Sequence, residues 1–161
     1  MYRYYIRLNQ ITKNNINRIL TTPSQLNKYL SQMNKRSEQL KNLRPEIHVD
    51  NSKSTDLETF QTNTLRPILK FQNDLILTLI NQHLSENKIV VKNLTDNKKT
   101  ERIHEIVKGN LQLKQLLTGI TIALFTEEEM SFYHENKKEV VKRTITILLE
   151  RVCSQLDKLQ F

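Results

Sequence analysis

The side chains best suited to chemistry in this sequence are a few histidines, carboxylates and amides on segments with helical periodicity. Glu101 and His104 form a Glu-x-x-His pair, the spacing found in di-iron helical bundles. A di-iron site needs two such pairs, and only one is present. His104-Glu105 also lacks the second histidine of a zinc protease motif. We therefore interpret His104 as an ordinary helical residue and His134 as an ordinary residue near a helix end.

Three consecutive carboxylates, Glu127 to Glu129, are the other group able to hold a cation. They follow Thr126 at the predicted start of a helix, where the helix dipole favours negative charge without any metal. Thr126 and Glu129 also have the spacing of a capping box. The sequence therefore predicts neither a metal site nor a cofactor.

Gln61, Gln72 and His83 recur at intervals of eleven residues, close to three helical turns, so we expect them along one line of a helix. This line falls inside the apolar face, where a polar group without a partner costs about 1–3 kcal/mol. Two interpretations stay open. Either the three side chains bond the scaffold and fix helix register, or they bind a ligand in a polar pocket between helices.

Motifs of common enzymes are missing from the sequence: it has no glycine-rich phosphate loop, no Ser or Cys nucleophile motif and no paired zinc cysteines. Cys153 is the single cysteine, and its apolar neighbours predict a buried thiol in a reducing compartment. The longest apolar runs are well short of the ~20 residues that span a bilayer. These features favour a non-enzymatic cytoplasmic protein without a transmembrane helix.

The net charge of +8 is concentrated at one end of the chain. Residues 1–47 carry +7 and the remaining 114 residues carry +1. Such a basic region is able to bind nucleic acid or an anionic membrane electrostatically, although a solvated helix surface is the simpler explanation. The candidate nucleic-acid-binding residues are Arg3, Arg7, Lys13, Arg18, Lys28, Lys35, Arg36 and Lys41.

The polar line lies on the most apolar of the long helical segments, Asp56 to Leu84, which we expect to be the central helix. Leu77 falls opposite its apolar face, either as a tolerated exposed leucine or as a contact with another helix or subunit. The predicted inward face comprises Leu57, Leu65, Ile68, Leu75, Ile76 and Leu79, flanked by Phe60, Phe71, Leu69 and Ile80.

Cap signals define the ends of this helix and its neighbours. Thr55 and Glu58 predict a capping box at the start of the central helix, and Pro67 predicts a kink near Arg66. Further helices are predicted over about residues 24–43, 96–109, 111–125 and 137–159, with another between Thr126 and a third capping box, Asn136 with Glu139, and a first short helix before residue 20. Residues 88–94 are expected to be extended or a short turn.

With two glycines and three prolines, the chain has too few turn residues for a β-sandwich or barrel. The predicted fold is therefore all-α: a single bundle of four or five core helices with an accessory basic N-terminal helix or arm. Residues 98–125 pair two helices like a helix-turn-helix unit, but Lys114 is the only basic residue on the second helix. This segment is interpreted as a core hairpin, not a DNA reader.

Several strings resemble a family of small helical proteins from Bacteroidetes, over about residues 33–161. They are Leu43-Arg44-Pro45-Glu46-Ile47, Phe60-Gln61, Thr64 to Leu75, and Leu124 to Glu129 with Phe132-Tyr133. The function of that family is not established, although its members are often labelled "glyoxalase". Glyoxalase I enzymes use paired βαβββ modules with strand-borne His and Glu ligands, and this sequence has no such spacing.

Residues 1–32 contain five basic residues and no acid. They are similar to an organellar presequence, but they also suit an extension upstream of a start at Met33. Because members of the resembled family begin near that position, we favour the extension, followed by a helical domain over residues 33–161. The leading functional prediction is an interaction module that contacts a protein partner or forms a homo-oligomer. The alternatives are nucleic-acid binding through the basic region, and a small-molecule or glyoxalase-like site between helices.

Overall fold

The computed structural model describes residues 23–47 and 54–160, and every regular element in this part of the chain is helical. The all-α prediction is therefore confirmed. The chain divides into two compact units, with the division between Gln39 and Leu40. The domain boundary predicted between residues 32 and 33 stays a prediction, and the predicted first short helix lies outside the described residues.

Local side-chain and backbone hydrogen bonds mark where helices begin and end. Asn110 caps the start of the helix Leu111–Ile122, and its side chain accepts a hydrogen bond from the amide of Leu113 at 2.9 Å. The elements are α1 (Pro23–Asn42), α2 (Asp56–Phe60), a π-helical turn (Gln61–Leu65), α3 (Arg66–Phe71), α4 (Asn73–Glu86), α5 (Asp96–Gly109), α6 (Leu111–Ile122), α7 (Glu127–Cys153) and a 3₁₀ turn (Leu156–Lys158). Residues 88–94 contain turns.

Two predicted capping boxes, Thr55 with Glu58 and Thr126 with Glu129, are confirmed. The third, at Asn136, is wrong. Asn136 has non-helical angles (φ −120°, ψ 24°) inside α7, and its side chain donates to the carbonyl of Phe132. The chain therefore forms two helical segments that meet at a kink at Asn136, as predicted, and α7 comprises both of them.

Pro67 disturbs the central helix as predicted, through a widened turn. The amide of Arg66 bonds the carbonyl of Gln61, five residues back, and closes the π-helical turn directly before the proline. Pro67 has no amide hydrogen, and its ring clashes with a preceding carbonyl in a regular helix, so widening that turn relieves the conflict. A second break at Gln72 (φ −84°, ψ 7°) separates α3 from α4 and was not predicted.

The break at Gln72 rotates the buried face of α4, which overturns part of the predicted pattern. Leu77 is only 6% exposed and packs in the core of its own chain, so the exposed alternative is wrong. Leu75 is 43% exposed and Phe71 is also exposed, although both were predicted on or beside the inward face. In a straight helix, the residues after Leu65 would keep the same buried face. Around the helix axis, the buried side chains of α4 are instead centred about 80° from that face.

The core of residues 54–160 consists of two clusters. The larger joins α4, α5, α6 and the C-terminal half of α7, with Leu84, Ile103 and Leu117 fully buried. The smaller is rich in aromatic rings: Phe60 stacks on Phe132 at 4.5 Å and meets Phe125 edge-on at 5.6 Å. α4 and α6 contribute to the same larger cluster, and Leu116 of α6 is exposed.

Candidate functional site

The three residues of the predicted ligand-binding line each bond a different neighbour. Gln61 accepts a hydrogen bond from Nη1 of Arg143 on α7 at 2.6 Å. Gln72 donates to the carbonyl of Ile120 on α6 at 3.5 Å, which is long for a hydrogen bond. The structure therefore places two of the three side chains against the scaffold, on two separate helices.

His83 lies where α4 approaches the junction between α5 and α6. Its Nδ1 is 3.4 Å from the side-chain nitrogen Nδ2 of Asn87, and its Nε2 is 3.5 Å from Nδ2 of Asn110. Of the three predicted residues, only His83 lines one of the two surface grooves described below. The structure therefore does not bring Gln61, Gln72 and His83 together in one pocket.

The groove at His83 runs between α4 and α6. Its volume is about 250 Å³, and its lining combines three leucines with mostly uncharged polar groups. The lining residues are Leu79, Gln82, His83, Glu86, Asn110, Gln112, Leu113 and Leu116. Such a lining accepts an apolar side chain and offers hydrogen bonds at its rim, but it presents no pair of groups arranged for acid–base chemistry.

An apolar strip adjoins this groove, and we call it the α4–α6 face: Leu75 and Leu116, which are exposed, and Leu79, which is partly buried. Leu79 and Leu116 line the groove together, and Leu75 lies one turn before Leu79 on α4. Nε2 of Gln72, directly before α4, lies 3.5 Å from the carbonyl of Ile120, one turn beyond Leu116, so the two helices stay close at this end. Apolar groups from two helices therefore form one continuous strip.

The only buried ion pair among the described residues links Arg44 to Glu129. Thr64 also bonds this carboxylate, and we call the three residues the Arg44 clamp. Both Nη atoms of Arg44 donate to the carboxylate, at 2.6 and 2.8 Å, and one also donates to the carbonyl of Leu124. Thr64 donates to Oε1 at 2.9 Å. The side chains of Arg44 and Glu129 are 6% and 13% exposed.

Every oxygen of Glu129 is occupied, because Oε2 also accepts the amide of Thr126 at 2.8 Å. Burial by itself raises the pKa of this carboxyl, but the hydrogen bonds from Arg44, Thr126 and Thr64 and the charge of Arg44 outweigh it, so the net pKa is lowered. A carboxylate held this way is neither a free base nor a metal ligand. The clamp therefore joins the segment after α1 to the start of α7.

Sequence reasoning missed the clamp. In the sequence, Arg44 stands out only within the string Leu43 to Ile47, and Glu129 only within the carboxylate run Glu127 to Glu129 and its capping box. Eighty-five positions separate the two residues. No local periodicity or motif connects positions so far apart, and the sole available signal was an arginine at a helix end and a carboxylate at a helix start.

Residues weighed as metal ligands do not form a ligand set. In residues 23–47 and 54–160, no three His, Cys, Asp or Glu side chains converge. Glu101 is exposed and His104 is half-buried on α5. Cys153 is also half-buried, and this burial raises the pKa of its thiol, opposed by a hydrogen bond with Thr100.

The basic candidates of the N-terminal region fall into two groups. Lys28, Lys35, Arg36 and Lys41 lie on α1 and are exposed. Arg3, Arg7, Lys13 and Arg18 lie outside the described residues. Within the described helices, none has the length and apolar character required to cross a bilayer.

Comparison of the chain with protein-family models, curated proteins and solved structures gave no match. The resemblance to the helical Bacteroidetes family stays a prediction, and the argument for function rests on the site itself.

Proposed function

We propose that this protein is a non-enzymatic, cytoplasmic helical module that acts through protein contacts, and that the α4–α6 face is its contact surface. The observation that carries the proposal is the exposure of Leu75 and Leu116 beside a groove whose lining includes three leucines. Neighbouring exposed apolar side chains cost free energy in water and commonly mark interaction surfaces. The groove also has the form of a pocket that takes one anchoring side chain of a partner.

A second copy of the chain is the partner that we propose first. Two neighbouring helices that carry leucines on one face are self-complementary about a two-fold axis, so Leu75 of one copy packs on Leu116 of the other. The leucines of the face are uncharged, so no like charges have to meet where Leu75 packs on Leu116.

Sedimentation equilibrium of wild type, Leu75→Glu, Leu116→Glu and Leu111→Glu tests the proposal. Leu111 is the matched control, since it is exposed at the start of α6 but does not line the groove. We expect a concentration-dependent dimer for wild type and the control, and a monomer for the other two at equal helicity. A monomeric wild type, or dimers in all four proteins, contradicts the proposal.

Nucleic-acid binding is the second candidate function, and the exposed basic surface of α1 favours it. Lys28 and Lys35 are seven residues apart, so they lie on one side of the helix, with Arg36 adjacent. The chain should then bind a random-sequence DNA duplex with an affinity that falls steeply with salt. Lys28→Gln/Lys35→Gln should reduce the salt slope by about 1.8, and Lys108→Gln on α5 should not change it. A slope unaffected by the double substitution argues against this function.

A further inference from the structure

A second groove, between α3 and α7, differs in character from the groove at His83. Its volume is about 280 Å³, at the small end of the range for ligand sites. Its lining is three basic residues, one acidic residue and three apolar residues: Arg66, Lys70, Arg151, Glu150, Ile47, Leu69 and Ile147. The groove therefore has a net positive charge beside an apolar wall.

The basic side chains of this groove have no ion-pair partner in the part of the chain that the structure describes. This holds for Arg66, Lys70 and Arg151, although Glu150 lines the same groove. Arg66 and Lys70 are four residues apart on α3, where like charges repel. A bound anion relieves this repulsion.

One of the three cations is held in place. Nε of Arg151 donates to Oδ1 of Asn73 at 2.8 Å, and the same oxygen accepts a bond from Gln155 at 2.8 Å. Fixing Nε in this way limits the motion of the guanidinium and leaves its terminal nitrogens for a ligand. Prior ordering lowers the entropy that is lost on binding.

We propose that this groove binds a small phosphate monoester with a compact apolar group. Three cations and one carboxylate leave a formal charge of +2, which matches the charge of about −2 on a phosphate monoester near neutral pH. The guanidinium groups of Arg66 and Arg151 suit the geometry of phosphate oxygens, and Lys70 supplies a point charge. Ile47 and Ile147 give the apolar group of the ligand a surface to pack on.

This inference is independent of the proposed contact function. The phosphate groove lies on α3 and α7, and none of its lining residues belongs to the α4–α6 face. Loss of dimerisation therefore leaves the groove intact, and failure of phosphate binding leaves the dimer intact.

Titration of the full ¹⁵N-labelled chain by NMR, with phenyl phosphate, inorganic phosphate and benzyl alcohol as probes, tests the proposal. We expect phenyl phosphate to bind with a Kd of about 1 mM or tighter and to shift the amides around Lys70 and Arg151. Inorganic phosphate and benzyl alcohol should each bind at least about tenfold more weakly, because each lacks one half of the ligand.

Arg66→Gln and Lys70→Gln should each weaken phenyl phosphate binding about tenfold. Both residues are exposed, so these variants are expected to fold. Lys142→Gln is the matched control: it removes an exposed cation from α7 that does not line the groove, and the Kd should change less than twofold. Absence of binding, equal loss in the control, or equal affinity for inorganic phosphate overturns the proposal.

Discussion

At the scale of single residues, loss of the Arg44 clamp should lower the free energy of unfolding more than loss of any other polar contact described above. Glu129→Gln removes the charge that faces Arg44 and leaves a buried guanidinium that already has an unpartnered Nε among the described residues. We expect this change to lower the free energy of unfolding by about 3 kcal/mol. Chemical denaturation measures the loss. Glu128→Gln, the exposed neighbour in the same helical turn, should cost under about 1 kcal/mol, and equal losses would contradict a special role for the clamp.

The same carboxyl predicts a pH dependence. The pKa of Glu129 is lower in the folded state than its ordinary value of 4.5, so in acid the unfolded chain binds a proton more readily than the folded chain. The stabilisation is therefore complete above pH 4.5 and is lost as the pH falls through the lower folded value. Thermal melts between pH 6 and about pH 3 should show a smaller decline in Tm for Glu129→Gln than for wild type. Parallel declines would assign acid sensitivity to other groups.

The two glutamines of the predicted line should differ in how much they stabilise the fold. Gln61→Leu leaves Nη1 of Arg143 without its 2.6 Å partner, which costs about 1–3 kcal/mol. Gln72→Leu removes a 3.5 Å contact and adds apolar surface at a half-buried position, so its effect should stay within about 1 kcal/mol. Denaturation of both variants gives the comparison. A larger loss of unfolding free energy for Gln72→Leu than for Gln61→Leu would mean that the amide of Gln72 stabilises the scaffold more.

At the scale of elements, the break at Gln72 decides which leucines of the central helix are structural. Leu77→Ala deletes a buried side chain and should lower the free energy of unfolding by about 2–5 kcal/mol. Leu75→Ala should lower it by under about 1 kcal/mol. A straight helix predicts the reverse order. Urea denaturation of the two variants therefore tests the rotation of α4 directly, because both substitutions remove the same atoms.

At the scale of the whole molecule, both core clusters consist of residues from Leu57 onward in the described part of the chain. The Arg44 clamp likewise needs nothing before Leu40, where the second compact unit begins. A chain that starts at Met33 should therefore keep nearly the same thermal midpoint as the full chain, even though the cut falls within α1. Differential scanning calorimetry of the two chains provides the measurement. A large fall in Tm or a loss of helicity on truncation would show that the N-terminal region supports the core.

The sequence by itself determined the fold class and most helix ends. Thr55 with Glu58, Thr126 with Glu129, Pro45 and Gly109 act on backbone groups within a few residues, so their effect is readable from local sequence. The inward positions of Ile103, Ile106 and Val107 on α5 were predictable for the same reason, because a short regular helix keeps its phase.

Only the tertiary structure decided which side chains face solvent on the central helix and which partner Arg44 finds. An irregular turn changes the phase of all residues after it, so the break at Gln72 moved Leu77 inward and Leu75 outward. The pairing of Arg44 with Glu129, and the grouping of Arg66, Lys70 and Arg151 around one groove, depend on how distant helices pack. Such contacts depend on how the whole chain packs, so residue spacing along the sequence does not predict them.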